Sequence, residues 1–123
     1  MAVVLVVDDE FGITNLLEDV LSDEGHRVLV ATNGKQALER AREERPDLVL
    51  TDYMMPVMDG AALIAALGAD KDLKDIPIAV MSSVPEATIR ERCPDFAVYV
   101  PKPFKIFRLI DTLAELLKRN HTA

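Results

Sequence analysis

The chain has 123 residues, half of them hydrophobic and 28% charged, which suits one globular domain rather than two. Its formal net charge of −7 argues against direct nucleic-acid binding through a basic face. The single cysteine, Cys93, excludes an internal disulfide, and no apolar run approaches the ~18 residues of a membrane span, so a cytoplasmic domain without membrane insertion is expected.

Short apolar runs alternate with helical patterns in the first half of the chain. The run VVLVV has no polar alternation, which is typical of a strand in a sheet covered by helices on both faces. Gly25 and Pro46 each end a helical pattern. The predicted order is a strand at 3–7, a helix at 11–24, a strand at 27–31, a helix capped by Asn33 and a strand at 47–52.

The second half continues the alternation. The predicted elements are a helix at 61–67, a strand at 76–82, a helix at 85–93, a strand at 96–100 and a helix at 104–119. The last helix carries apolar residues at helical spacing, namely Ile106, Phe107, Ile110, Leu113, Ala114 and Leu117. Leu109 and Leu116 flank this predicted core face, and they either pack at its edge or belong to a docking patch.

Five strands alternating with five helices predict an α/β fold with right-handed crossovers. Such connections produce a doubly wound parallel sheet with helices on both faces. In these sheets the ligand site lies beyond the carboxyl ends of the strands. Polar residues that directly follow a strand are therefore the candidates for function.

Five polar side chains stand at the predicted carboxyl ends. Asp8 and Asp9 follow the first strand, Asp52 closes the third, Ser82 closes the fourth and Lys102 follows the fifth. Taken singly, such an aspartate is often only a helix cap, and such a lysine only a solvent-facing loop residue. Together at one edge of the sheet they indicate a functional site.

Three carboxylates at one edge favour a hard divalent cation with oxygen ligands. Mg²⁺ uses one or two carboxylates and leaves room for a phosphate oxygen. Lys102 and Ser82 would meet the other phosphoryl oxygens by charge and hydrogen bond. The Asp52 carboxylate would then serve as a nucleophile that forms an aspartyl-phosphate.

The motifs VLVVDDE, NGKQAL, PDLVLTDYMMPVMDG, IPIAVMSS and YVPKPF carry a family resemblance. Over about residues 3–118 the chain resembles the receiver domain of two-component response regulators, the family to which the chemotaxis receiver belongs. The resemblance implies a flavodoxin-like five-stranded sheet in the order 2-1-3-4-5 with five helices. It also implies a single receiver domain over residues 1–123.

The same resemblance implies a role for each residue at the predicted edge. Asp52 would be the phosphoacceptor, Lys102 the invariant lysine and Ser82 the switch hydroxyl. Tyr99 would be the switch aromatic, whose inward turn changes the face formed by the fourth helix, the fifth strand and the fifth helix. The implied cofactor is Mg²⁺, with these ligands: Asp9, Asp52 and the backbone carbonyl of Met54, with Asp8 acting largely through water.

Several positions depart from the commonest family pattern. Ser82 stands where threonine is more usual, and Ser83 is an alternative that is less favoured because Ser82 directly follows the strand. The segment 84–100 is shorter than the family's fourth-helix region. Pro101 predicts a stiff loop, and the resemblance implies a cis peptide bond before Pro103. These departures concern the switching surface more than the chemistry.

The favoured hypothesis is a phospho-accepting receiver rather than a conventional enzyme. It would take a phosphoryl group from a histidine kinase or a histidine phosphotransfer protein, dephosphorylate itself, and control a downstream target or relay the phosphate. The alternatives are a receiver-like binding module that uses no phosphate and a Mg²⁺-dependent phosphohydrolase. Adjacent Asp8 and Asp9 do not match the DxD arrangement of such phosphatases. The start and short tail favour a single-domain regulator over a segment of a longer protein.

Overall fold

Five strands and five helices alternate along residues 2–121, which the computed structural model describes. The strands are β1 (Val3–Val7), β2 (Arg27–Ala31), β3 (Leu48–Asp52), β4 (Ile78–Ser82) and β5 (Val98–Pro101). The helices are α1 (Phe11–Asp23), α2 (Gly34–Glu43), α3 (Gly60–Ala69), α4 (Glu86–Arg92) and α5 (Ile106–His121). The domain predicted for residues 1–123 also includes residues 1, 122 and 123, which lie outside this description. Among the described helices, none is long and apolar enough to cross a membrane.

All strand pairs are parallel, and the sheet has the order β2-β1-β3-β4-β5. The predicted fold class and strand order are therefore confirmed. The register brings the carboxyl ends of the strands level with one another, because Asp52 pairs with Met81 and Ser82 pairs with Pro101. Residues at or just after these ends consequently meet at one edge of the sheet.

The two faces of the sheet are covered by different helices. Leu5 and Val7 of β1 point into a core that α2, α3 and α4 complete, whereas Val4 and Val6 point into a second core. The second core is completed by α1 and α5. Each fully buried leucine or valine stabilises the fold by roughly 1.5–3 kcal/mol. The sheet is thus an apolar, rigid platform that holds its polar edge in place.

Two strands and one helix begin two residues later than predicted, at Ile78, Val98 and Ile106. The backbone N–H of Ile76 donates to the carbonyl of Leu73 at 3.2 Å, so this residue belongs to a turn, and proline at position 77 has no N–H for the ladder. Phe96 is buried in the core by its ring although it precedes the paired strand. Apolar runs therefore extend beyond the hydrogen-bonded strands.

The predicted core face of α5 is wrong at two positions. Phe107 is 80% exposed and Ala114 is exposed, whereas Leu109 and Leu116 are only 2% and 4% exposed and belong to the core. The alternative that Leu109 and Leu116 form a docking patch is thereby excluded. The helix has apolar residues on two overlapping faces. The face that includes Leu113 is the one that packs against α1 and the sheet.

Candidate functional site

The carboxyl edge of the sheet contains a cavity of about 270 Å³. It is lined by Asp9, Glu10, Asp52, Met54, Ser82, Ser83 and Lys102. Fully buried Asp8 adjoins it through an ion pair with Lys102. The structure therefore brings together every residue that the sequence placed at the strand ends. Glu10 is an addition, and its position in the run DDE is the signal that could have indicated it.

Three carboxylates form the acidic part of this site. One oxygen of each of Asp8, Asp9 and Asp52 lies within 4.8 Å of the others. Asp8 is fully buried and Asp52 is 7% exposed, while Asp9 faces solvent. The backbone N–H of Glu10 donates to Asp8 Oδ1, and that of Tyr53 donates to Asp52 Oδ1, both at 2.9 Å. These bonds fix the orientation of the two buried carboxylates.

Lys102 provides the counter-charge on the opposite side. Its Nζ lies 3.2 Å from Asp8 Oδ2 and 3.2 Å from Asp52 Oδ1. Its backbone N–H donates to the carbonyl of Ser82 at 2.9 Å, which ties the end of β5 to the end of β4. The peptide bond between Lys102 and Pro103 is cis, as the resemblance implies. One ammonium group against three carboxylates leaves the site with an excess of negative charge.

The pKa values of the central groups respond to burial and to this charge excess. Burial, and next the charge of Asp8, raise the pKa of Asp52 above its ordinary value, although Lys102 partly offsets them. Burial alone would lower the pKa of Lys102, but attraction to Asp52 and Asp8 outweighs it and raises that pKa. An added cation would therefore favour the ionised form of Asp52. The oxygen donors fit a hard divalent cation such as Mg²⁺.

The two candidate serines differ in their environment. Ser82 is buried, and its Oγ accepts a hydrogen bond from the N–H of Val84 at 2.9 Å, whereas Ser83 is exposed. The hydroxyl of Tyr99 lies 2.6 Å from the carbonyl of Val84 and 3.1 Å from that of Ser82. Half-buried Tyr99 thus connects β5 to the loop that follows β4.

Residues 53–59 form the loop between β3 and α3. This loop is closed at its base by a hydrogen bond from the N–H of Gly60, the first residue of α3, to the carbonyl of Tyr53 at 2.8 Å. A Cβ atom on Gly60 would lie 2.6 Å from the carbonyl oxygen of Asp52. Glycine is required here because the backbone passes so close to Asp52. We call this segment the acceptor-side loop, and it brings Met54 to the cavity.

This fold and this edge define the class of the protein. Residues 4–114 match the family model of the response regulator receiver domain. The chain belongs to this family, which operates in two-component signalling.

Individual relatives agree with this assignment. The chain is 33% identical over 116 residues to sporulation initiation phosphotransferase F of Bacillus subtilis, with 93% of this chain and 92% of that protein covered. It is 35% identical over 121 residues to the transcriptional regulatory protein PrrA of Mycobacterium tuberculosis, with 95% of this chain covered. The chain spans 50% of the length of that mycobacterial relative.

A solved structure supports the same conclusion. The chemotaxis response regulator CheY4 of Vibrio cholerae superposes with a TM-score of 0.88 at 30% sequence identity. The match covers 94% of this chain and 98% of the Vibrio chain.

Proposed function

We propose that the chain accepts a phosphoryl group on Asp52 and uses the resulting change to control protein binding or to relay the phosphate. The observation that supports this most is the placement of Asp52. This residue stands at the end of β3, with the ammonium group of Lys102 at 3.2 Å and two further carboxylates within 4.8 Å. Such an arrangement suits a nucleophilic carboxylate that attacks a phosphorus atom beside a bound cation.

In the proposed reaction a carboxylate oxygen of Asp52 attacks the phosphorus of a phosphohistidine. A P–O bond to Asp52 forms, the P–N bond to the histidine breaks, and the imidazole leaves with the bonding electron pair. Lys102 offsets charge on the phosphoryl oxygens, and the bond from the Tyr53 N–H keeps the carboxylate oriented. Ser82 stands at the same cavity, where its hydroxyl can donate to a phosphoryl oxygen.

Asp9, Asp52 and the backbone carbonyl of Met54 are the expected ligands of Mg²⁺, with Asp8 acting largely through water. When bound, Mg²⁺ supplies charge neutralisation for the transferred phosphoryl group. Asp9 is the exposed member of the acid cluster, and Met54 lines the same cavity, so both are accessible from solvent.

The proposed switch connects the phosphoryl group to the face formed by α4, β5 and α5. Ser82 and Tyr99 are the elements of this switch, because the Tyr99 hydroxyl contacts the carbonyls of Ser82 and Val84. A movement of Ser82 toward a phosphoryl group would change these contacts. Tyr99 also lines a groove of about 260 Å³ between β5 and α5, so the change would reach a surface open to a partner.

The expected donors are a histidine kinase or a histidine phosphotransfer protein. The Bacillus subtilis relative, whose name is that of a phosphotransferase, supports relay as one outcome. Binding to a downstream target protein is the other. The cytoplasm is the expected compartment, because Cys93 is a free, buried thiol.

The experiment that tests the proposal is intact-mass spectrometry after incubation with acetyl phosphate. Wild type should gain one phosphoryl group in Mg²⁺ and none in EDTA, and Asp52→Ala should gain none. Labelling of Asp52→Ala would show that the acceptor is another residue. If wild type gains no phosphoryl group and also shows no binding of beryllofluoride with Mg²⁺, the domain is a phosphate-independent binding module.

A further inference from the structure

The motif NGKQAL forms the start of α2, which lies beside the acceptor-side loop rather than in the cavity itself. Asn33 Oδ1 accepts a hydrogen bond from the N–H of Gln36 at 2.9 Å and so caps the helix. The Gln36 side chain in turn accepts a bond from the N–H of Thr32 at 2.7 Å. These reciprocal bonds fix the first turn of α2 from both sides.

Gly34, the first residue of α2, contacts the acceptor-side loop directly. Its N–H donates to the carbonyl oxygen of Met58 at 2.9 Å. The first N–H groups of a helix have no partner within the helix, so this donor is available to the loop. A Cβ atom on Gly34 would lie 2.6 Å from that same carbonyl oxygen and 2.7 Å from Met58 Cγ. Only glycine lets the two segments approach so closely.

The loop that Gly34 touches contains a strained turn. The N–H of Met58 donates to the carbonyl of Pro56 at 2.8 Å, which closes a three-residue turn around Val57. Val57 has φ of +70° and is 80% exposed. A β-branched residue in the left-handed region is unfavourable, and such turns are strained and persist only where their surroundings hold them. The hydrogen bond from the Gly34 N–H to the carbonyl of Met58, the residue after Val57, is such a restraint.

We propose that Gly34 is a positioning residue for the acceptor-side loop. It acts through the carbonyl of Met58 and holds the loop in the shape that presents Met54 to the cavity. The inference rests on the proposed function, because it assigns a purpose to the position of Met54 beside Asp52. It adds that the site is supported from α2, an element that contributes no residue to the cavity lining.

A substitution that introduces one methyl group tests the proposal. In Gly34→Ala the new Cβ would displace Met58, and the displacement would pass along the closed loop to Met54. We expect the affinity for Mg²⁺, measured by titration calorimetry on the folded protein, to fall about tenfold or more, as is typical when outer support of a metal site is lost. The rate of labelling by acetyl phosphate should fall in parallel.

Gly68→Ala is the matched control, because it makes the same change in α3 where a Cβ meets nothing within 4 Å. Its Mg²⁺ affinity and labelling rate should stay within about twofold of wild type. If Gly34→Ala has a lower thermal midpoint but wild-type Mg²⁺ affinity and labelling, Gly34 is merely structural and the proposal is overturned. If wild type itself neither binds Mg²⁺ nor accepts phosphate, the proposed function fails and this inference fails with it.

A measurement on wild type keeps the proposal testable even if Gly34→Ala does not fold. Amide hydrogen exchange reads the bond from Gly34 to Met58 directly, since this donor has no partner within its own helix. Mg²⁺ should slow exchange at Gly34 severalfold while exchange at Gly68 stays unchanged. Exchange at Gly34 that does not respond to saturating Mg²⁺ would overturn the coupling between α2 and the site.

Discussion

The carboxyl edge of the sheet and the junction between α4 and β5 both contain charged groups, but they balance them differently. At the edge, Lys102 faces more carboxylate charge than it can neutralise. At the junction, Arg90 pairs with Glu86 at 3.0 Å and donates to the carbonyl of Phe96 at 2.9 Å. Its guanidinium also lies 3.9 Å from the centre of the Phe96 ring.

The carboxyl edge carries negative charge that its own lysine does not neutralise, whereas the charges at the junction are paired within the protein. The edge has an excess of negative charge held by buried, oriented groups, so a bound cation would stabilise it. The junction has a satisfied cation that connects a helix of only seven residues to the segment before β5. In this molecule the unbalanced charges lie at the candidate functional site, whereas the balanced charges at the junction hold two segments together.

Apart from the complete loss of labelling expected for Asp52→Ala, the largest expected effect at the edge follows removal of its ammonium group. Lys102→Met should lower the rate of labelling by acetyl phosphate by about 10²–10³-fold, as is typical when one stabilising group of a developing charge is lost. Lys102→Arg, which retains a positive charge with different geometry, should fall between this variant and wild type. Intact-mass time courses give both rates. Labelling of Lys102→Met at the wild-type rate would contradict the assigned role.

A smaller effect, on stability rather than on chemistry, is expected at the junction. Arg90→Ala removes the hydrogen bond to the carbonyl of Phe96 and the contact with its ring, and should lower the free energy of unfolding by about 1–3 kcal/mol. Its labelling rate should stay close to that of wild type. Arg92→Ala, an exposed change in the same helix, is the control for urea denaturation. A large loss of labelling in Arg90→Ala would mean that the junction takes part in the chemistry.

The smallest effect concerns the pH dependence of stability without metal. Burial and Asp8 raise the pKa of Asp52 in the folded state, so its stabilising contribution is present below the pKa of the unfolded chain and is lost as pH rises through the raised pKa. In EDTA, Asp52→Asn should therefore unfold at a higher temperature than wild type at neutral pH, and the gap should close as pH falls. Thermal unfolding at several pH values measures this gap. A gap that does not change with pH would contradict the direction given for Asp52.

Much of the fold could be predicted because the strands of this sheet are covered on both faces. Unbroken apolar runs such as 48–50 indicate buried strands whatever surrounds them. The face of α5 could not be predicted in the same way. Phe107 and Leu109 each have apolar neighbours at helical spacing, but on different faces of the helix. Only packing against the sheet decides that the face of Leu109 is buried.

The residues of the candidate site also differ in how well they could be predicted from the sequence. Asp52, Ser82 and Lys102 could be located because each stands at a strand end, and the register of a parallel sheet brings such ends together. The contact between Gly34 and Met58 could not be predicted, because it depends on the path of a loop with no regular period. The signal available in the sequence is weak: a glycine directly after a helix cap.

The position of the two tyrosines gives the protein an optical reporter. The chain contains no tryptophan and two tyrosines, so Tyr53 and Tyr99 account for its intrinsic near-ultraviolet emission. Tyr53 is buried and its backbone N–H donates to the Asp52 carboxylate, while the Tyr99 hydroxyl contacts the carbonyls of Ser82 and Val84. Emission from an unlabelled sample therefore arises from both sides of the same edge, and replacing either tyrosine with phenylalanine would separate events at Asp52 from those at β5.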